Sequence, residues 1–339
     1  MTSAPLRLRL NGDALVANWT LLARMSGAAA CGAAVKADGY GLGAREVVRR
    51  LQAAGCRDFF VATWAEAGAL AGLGAAVSVL HGVREADPRG LPGVRPVLSS
   101  AAQVLRWRET GLACDVMVDT GMNRLGVSVE EIGEGLLDGL AIDTLMSHLA
   151  CADEDVAMNA RQRERLAGLK GRTTATRLSL ANSAGIALGA DYAFDLTRPG
   201  ISLYGGVQHA GHAGIRQVVT PEAQVLQRRR VPAGEGVGYN LAFVAERDTE
   251  VAMLNLGYAD GYLRCFSGKG RARVGAVAVP VIGRVSMDLT AIAVDALPEL
   301  GEGDWVTIDY ALPETAALSG LSQYELLTGL GKRFDRVWE

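Results

Sequence analysis

From residue 30 to about residue 205 the chain repeats one unit: a short apolar run followed by a polar or helical segment. The runs are AAVKA (33–37), FFVAT (59–63), AVSVLHG (76–82), VRPVLS (94–99), CDVMVD (114–119), IDTLMSH (142–148), RLSLAN (177–182) and the stretch into GISLYG (200–205). Amphipathic segments lie between several of them. In AREVVRRLQAAG, Ala44, Val47, Val48 and Leu51 fall at i, i+3, i+4 and i+7, with Arg45, Arg49, Arg50 and Gln52 opposite. Continuous apolar strands alternating with helices demand a parallel sheet covered by helices, because each strand must be buried on both faces. Eight such units in this short a span predict an α/β fold of the eightfold β/α (TIM-type) barrel kind rather than an open doubly wound sheet.

After about residue 215 the texture changes. EVAMLNLGY, RARVGAVAVPVIG, LTAIAVDAL and DWVTIDY read as strands separated by Gly, Pro and Asp, with little helical pattern before the last stretch. The expectation is a barrel over 12–214 followed by a mainly β C-terminal domain over 215–339, with an N-terminal strand in 1–11 packing against the latter.

Composition bounds what these domains do. Apolar residues make up 49% and charged residues 21% of 339, as in ordinary folded proteins. A formal net charge of -3 supplies no basic field for nucleic acid or an anionic membrane. Arg228, Arg229 and Arg230, followed by Pro232 and Gly234, read as a solvated strand end or turn. MTSAPLRLRL lacks the apolar centre of a secretory signal. Met25–Val35 is apolar but far shorter than the roughly 20 residues that span a bilayer, so a soluble cytoplasmic protein is expected. The cysteines (Cys31, Cys56, Cys114, Cys151, Cys265) are odd in number and dispersed, against both a disulfide framework and a zinc site. His209 and His212, beside Gly211 and Gly214, read as a flexible surface loop, and no metal is expected.

In a parallel barrel, working residues gather where strands end. Lys36 closes the first run, His148 ends IDTLMSH, Asn182 and Ser183 follow RLSLA, and Arg198 lies in LTRPGISLYG. Taken singly, each has a plain structural reading: a snorkelling lysine, a hydrogen-bonded core histidine, a helix-capping serine, an extended arginine before Pro199. Their common placement at one rim favours a functional reading. GYGLG lacks the G-x-G-x-x-G spacing of a dinucleotide fold. With Lys36 four residues before Tyr40, it suggests instead a lysine at a barrel mouth with a phenol nearby to hold an anion. An amine in an apolar setting loses basicity and can form a Schiff base, and pyridoxal phosphate is the common cofactor that needs one.

The segment VKADGYGLG resembles the cofactor-lysine motif of the alanine racemases. The likeness continues through VDTGMNRLG (118–126), SHLA (147–150), ANSAG (181–185), RPGISLYG (198–205), VGYN (237–240), LGYADGY (256–262), GRVSMD (283–288) and YELLTGLGKRF (324–334). The resemblance implies a pyridoxal 5'-phosphate-dependent amino acid racemase (an isomerase) that makes D-alanine for peptidoglycan, working as a homodimer whose partner chain completes each active site. It implies that Lys36 carries the cofactor and is one catalytic base. Tyr239 of VGYN, otherwise a strand-end aromatic, is the other, reaching in from the second subunit. Tyr40, Ser183, Tyr324 and the amides near Gly200 and Ile201 would hold the phosphate. His148 would lie against the ring, Asn182 would adjoin it, and Arg198 would face the pyridine nitrogen. Arg124 would bind the substrate carboxylate with the Met287 amide, and Tyr258 would narrow the pocket.

Two positions depart from the family pattern. Met117 stands where many members carry a carboxylated lysine that orients the arginine, so another acid or an anion such as chloride is expected to do so here. Ser286 replaces a common cysteine. A serine-preferring or broad-specificity racemase is the alternative within enzymes, and a non-enzymatic pyridoxal phosphate binder the alternative outside them. A related decarboxylase would lack the VGY tyrosine.

Overall fold

The structure is a computed structural model that describes residues 4–339, so the first three residues of the expected N-terminal strand lie outside the described residues. Two compact units divide the chain, one joining Met1–Asp13 to Gln217–Glu339, the other being Ala14–Arg216. The strand β1 (Leu6–Leu10) belongs to the first.

In the second unit a parallel sheet runs through β2 (Ala30–Cys31), β3 (Ala33–Ala34), β4 (Asp58–Val61), β5 (Ala76–Val79), β6 (Val94–Leu98), β7 (Cys114–Met117), β8 (Ile142–Met146), β9 (Arg177–Ser179) and β10 (Leu196–Thr197). Its order is β2-β10-β9-β8-β7-β6-β5-β4-β3. β2 and β3 are one stave interrupted at Gly32, so the sheet closes on itself as an eightfold barrel. Gly32 is there because a Cβ would sit 2.8 Å from the Asp58 carbonyl. The helix α1 (Ala44–Ala54) buries Ala44, Val47, Val48 and Leu51, the face its sequence spacing marked.

Two runs fall elsewhere than expected. The first stave ends at Ala34, and the eighth is Leu196–Thr197. GISLYG forms a 3-10 turn at Ile201–Tyr204 instead, its glycines marking the ends of the turn.

At their starts several staves carry charges that lace one end of the barrel shut. Arg177 reaches Asp58 at 2.9 Å and Asp143 at 2.5 Å, and Arg95 reaches Asp143 at 3.0 Å and Asp115 at 3.5 Å. Asp115 is wholly buried and also accepts from the Ser78 hydroxyl at 2.6 Å and the Thr144 amide at 3.1 Å. Burial pushes its carboxyl pKa up, with Arg95 opposing. Sealing this end leaves the opposite rim, where the staves finish, for chemistry.

The first unit is built on β11 (Val219–Val231), followed by β12 (Gly236–Val237), β13 (Phe243–Val244), β14 (Thr249–Leu254), β15 (Arg271–Val274), β16 (Val277–Ile282), β17 (Thr290–Ala293), β18 (Trp305–Ile308) and β19 (Asp335–Trp338). The order is β14-β17-β16-β15-β18-β11-β1-β19, and β11 also pairs with β14, closing an antiparallel ring. β11 serves both neighbours by bending at a register shift between Val225 and Gln227. Val231, Val237, Ala245, Val251, Ile282 and Ala291 form an apolar cluster within it.

The basic run lies in the last residues of β11, just before Val231, with Arg229 and Arg230 exposed, the solvated strand end that its sequence suggested. Arg228 pairs with Glu250 at 2.9 Å and caps the carbonyls of Leu297, Pro298 and Leu300, while Arg230 pairs with Asp248. All five cysteines are unbridged. No helix among the described residues is long and apolar enough to cross a membrane.

Candidate active site

Lys36 opens a turn whose backbone is left-handed at four successive residues: Ala37 (φ 52°), Asp38 (φ 53°), Gly39 (φ 64°) and Tyr40 (φ 56°). Each non-glycine residue in that region costs about 1–2 kcal/mol, so the turn persists only because its surroundings hold it. The amides of Gly39, Gly41 and Gly43 bond the carbonyls of Val35, Ala37 and Asp38, each at 2.8 Å. Asp38 Oδ1 accepts from the Ala44 amide at 2.8 Å. Glu66 clamps the other side, accepting from the amides of Ala37 and Ala62, both at 2.7 Å. Sequence reasoning missed Glu66, although Thr63-x-x-Glu66 is a capping-box pattern, and the structure forms that box.

Burial lowers the Lys36 amine pKa first, the Arg124 charge lowers it further, and Glu66 opposes. Arg124 also acts on His148, a half-buried residue. Its pKa drops from 6.5 to about 3, first through burial and then through Arg198, Arg124 and Lys36. His148 is therefore neutral at ordinary pH and sits among cations.

That neutrality has a stability consequence. Between about pH 6.5 and 3 the unfolded chain binds one proton more than the folded chain, so stability is lost as pH falls through that window. Cofactor-free His148→Gln protein should lose less melting temperature than the parent between about pH 7 and 5. Equal losses would remove His148 from the acid sensitivity.

Arg198 is buried at the end of β10. Its Nη1 donates to the Ser179 hydroxyl, and Nη2 to the Ser147 carbonyl at 2.5 Å and the Leu180 carbonyl at 3.5 Å. Burial lowers its pKa to about 10, against the raising effect of Asp115, which leaves a rigidly held cation at neutral pH.

Tyr40 stacks on Tyr204, ring centroids 4.7 Å apart at 28°, and Tyr204 donates to the Ala34 carbonyl at 2.9 Å. A Cβ on Gly200 would lie 2.2 Å from Tyr40 Oη, so the phenol is seated in space that only glycine leaves open. Ser183 is not the cap of its helix, α2 (Ser183–Ala187); Asn182 is, its Oδ1 accepting from the Gly185 amide at 2.9 Å. Ser183 Oγ instead accepts from the Gly200 amide at 2.9 Å and the Ser202 amide at 3.3 Å, beside Ile201. His212 is fully buried, correcting the surface-loop reading. Its Nδ1 lies 3.4 Å from Ser202 Oγ because the short 3-10 turn Ala210–His212 folds the ring inward.

Arg124 stands exposed on the loop after β7. That loop is pinched shut by the Asp119 amide donating to the Val127 carbonyl at 3.0 Å and the Val127 amide to the Met117 carbonyl at 2.9 Å. Asp119 Oδ1 takes the amides of Gly121 and Asn123. Met117 is buried at the end of β7. Among the described residues no ion pair forms on Arg124.

The remaining candidates lie in the β unit. Tyr239 is 68% exposed at the tip of the β12–β13 hairpin, where Gly238, Asn240 and Leu241 all have positive φ. Tyr258 and Met287 sit on two loops locked together, the Tyr258 amide donating to the Ser286 carbonyl and the Ala259 amide to the Met287 carbonyl, both at 3.0 Å. Arg264 lies 5.3 Å over the Tyr258 ring. Ser286 Oγ closes its own turn with Leu289. Tyr324 is partly exposed in the first turn of the short helix Gln323–Thr328, whose N-cap is Ser322.

The fold and the barrel rim define a β/α-barrel enzyme with an antiparallel β unit, built around a lysine of lowered basicity among fixed cations. Models of the alanine racemase N-terminal domain and C-terminal domain match residues 10–208 and 218–338. The alanine racemase of Acidiphilium cryptum is 42% identical, covering 97% of this chain and 98% of that one. The catabolic alanine racemase of Agrobacterium fabrum is 43% identical, covering 98% and 91%. Among solved structures, that of alanine racemase from Bartonella henselae with covalently bound pyridoxal phosphate superposes with a TM-score of 0.89, at 32% identity over the whole of both chains. The chain belongs to the alanine racemase family.

Proposed function

We propose that the chain interconverts L-alanine and D-alanine with pyridoxal 5'-phosphate, with Lys36 and Tyr239 as its two acid–base residues. The observation that carries this reading is the barrel rim itself: a lysine made less basic by burial, a neutral histidine, and a buried arginine that can only donate.

The residues present fit the cofactor. Lys36 offers the amine, and Tyr40, which Gly200 makes room for, together with Ser183 and the Ile201 amide would offer phenol, hydroxyl and N–H to a phosphate. Asn182 supports this by capping the helix that carries Ser183. Tyr324 would add a second phenol. When bound, pyridoxal phosphate supplies an aldehyde that condenses with amines and a conjugated ring that acidifies the substrate α-proton.

Arg198 would point its donor at the pyridine nitrogen and keep it unprotonated, since guanidinium does not surrender a proton. That weakens electron withdrawal and favours returning the proton to Cα over transfer to another carbon. Neutral His148 would lie against the ring without adding a charge. Arg124 would take the substrate carboxylate, with an anion in place of the missing lysine at Met117. Inversion requires a proton-handling group on each face of Cα: Lys36 serves one and Tyr239 the other. Tyr258 would limit side-chain size.

A homodimer is part of the proposal. Tyr239, Leu241 and Met287 are 68%, 60% and 55% exposed, an arrangement suited to insertion into a second copy. We further propose a cytoplasmic role in supplying D-alanine to peptidoglycan.

The test is α-proton exchange in deuterated water with pyridoxal phosphate, following chirality and comparing L-alanine with L-serine. Rapid exchange with inversion for alanine, and slower for serine, is expected. Equal rates would make this a broad-specificity racemase, and no exchange with either would refute the proposal.

A further inference from the structure

The helix Ala157–Ala167, which follows β8, turns a polar face inward where a barrel helix ordinarily buries aliphatic side chains. Asn159 and Gln162 are both buried on it, at i and i+3. Burying an amide is costly unless its donors and acceptor are met, and those of Gln162 are met. Oε1 accepts from the Ala150 amide at 2.9 Å; Nε2 donates to the His148 carbonyl at 2.9 Å and to the Thr120 hydroxyl at 3.2 Å.

These partners lie on two separate loops. Thr120 begins the loop that carries Arg124, while His148 and Ala150 belong to the segment leaving β8. The bonds continue inward: the Thr120 and Ser147 hydroxyls are 2.7 Å apart, and the Ser147 carbonyl accepts from Arg198. One turn further along the helix, Arg165 holds the Thr120 carbonyl at 2.9 Å. A leucine at position 162 would fill the same volume and bury more easily, so an amide there answers a need of the rim rather than of the helix.

We propose that Gln162 is a positioning residue for racemisation: one buried amide fixes the Arg124 loop and the His148 segment to each other and, through Thr120 and Ser147, to Arg198. This rests on the functional reading of those three residues given above. Displacements of about 1 Å in such positioning can slow a reaction by about 10²-fold.

Gln162→Glu and Gln162→Met test it in the holoenzyme. Near pH 8 the carboxylate from Gln162→Glu still accepts from Ala150 but has no proton for the His148 carbonyl. Burial raises a carboxyl pKa, so near pH 6 a share of it is protonated and donates as the amide did. The ionisable side chains tied into this amide's bond network are those of His148, Arg165 and Arg198.

Relative to the parent at the same pH, Gln162→Glu should lose about tenfold or more in kcat/KM near pH 8, with KM raised, and recover severalfold near pH 6. The circular dichroism of bound cofactor should follow the same course. Gln162→Met should stay low at both pH values, and without cofactor its amides at 119–127 and 147–151 should exchange faster than the parent's.

Parental KM and kcat in both variants would overturn the proposal. So would losses independent of pH with parental dichroism and amide exchange, the mark of a packing role alone. Were the parent itself not a racemase, that would show in its own assay, and amide exchange of the cofactor-free proteins would still decide whether Gln162 fixes the two loops.

Discussion

Lys36→Ala protein is expected to lose racemisation by at least about 10³-fold, the upper part of the range for removing an acid–base group. It is also expected to lose the absorbance band of lysine-bound cofactor. The two losses have one cause: Lys36 is the only amine that the left-handed turn 36–40 presents, and its lowered pKa makes the neutral form accessible. The folded protein should not suffer. A lysine whose pKa is lowered on folding opposes folding while it is protonated, so its removal should leave the melting temperature of cofactor-free protein unchanged or raised. Activity lost together with the fold would point to structure rather than chemistry. A retained lysine-type band in the variant would refute the assignment.

Tyr239→Phe should separate the two directions. Tyr239 is mostly exposed within its own chain, and the substitution removes only a hydroxyl while keeping the ring that would insert into a second copy, so fold and assembly should be kept. Cofactor absorbance should therefore be retained. Removing one of two acid–base groups should slow α-proton loss from L-alanine by roughly 10²-fold or more. Exchange from D-alanine, served by Lys36, should slow far less. Deuterium incorporation measured separately from each enantiomer gives the ratio. Equal slowing of both would end the two-base assignment, and parental rates would take Tyr239 out of the chemistry.

Sequence alone determined the elements whose signal is local. The period of apolar runs forced a parallel barrel, because such strands must be covered on both faces. The spacing in AREVVRRLQAAG marked the buried face of α1, and the Gly, Pro and Asp punctuation after residue 215 marked the β unit. Lys36, His148, Asn182, Ser183 and Arg198 were legible as candidates because strand ends in a parallel barrel share one rim.

What the sequence misplaced depended on contacts between distant residues. Ser183 passed for a cap, but Asn182 caps, and the Ser183 hydroxyl is drawn to amides 17 and 19 residues away. His212 passed for a surface residue because nothing local shows that its turn folds inward onto Ser202. Gln162 and Glu66 carried no notice beyond ordinary helix polarity, yet each secures a rim segment through bonds to residues that only the closed barrel brings near.

The pKa values divide the same way. That a lysine after an apolar run is less basic follows from local sequence. That His148 is neutral does not, since it takes burial in the closed barrel first, and then Arg198, Arg124 and Lys36 from three different staves, to lower its pKa. Periodicity is a property of neighbours along the chain and is written in their order. A field of charges, or a buried amide with every bond met, is a property of neighbours in space, and only the tertiary structure decided it.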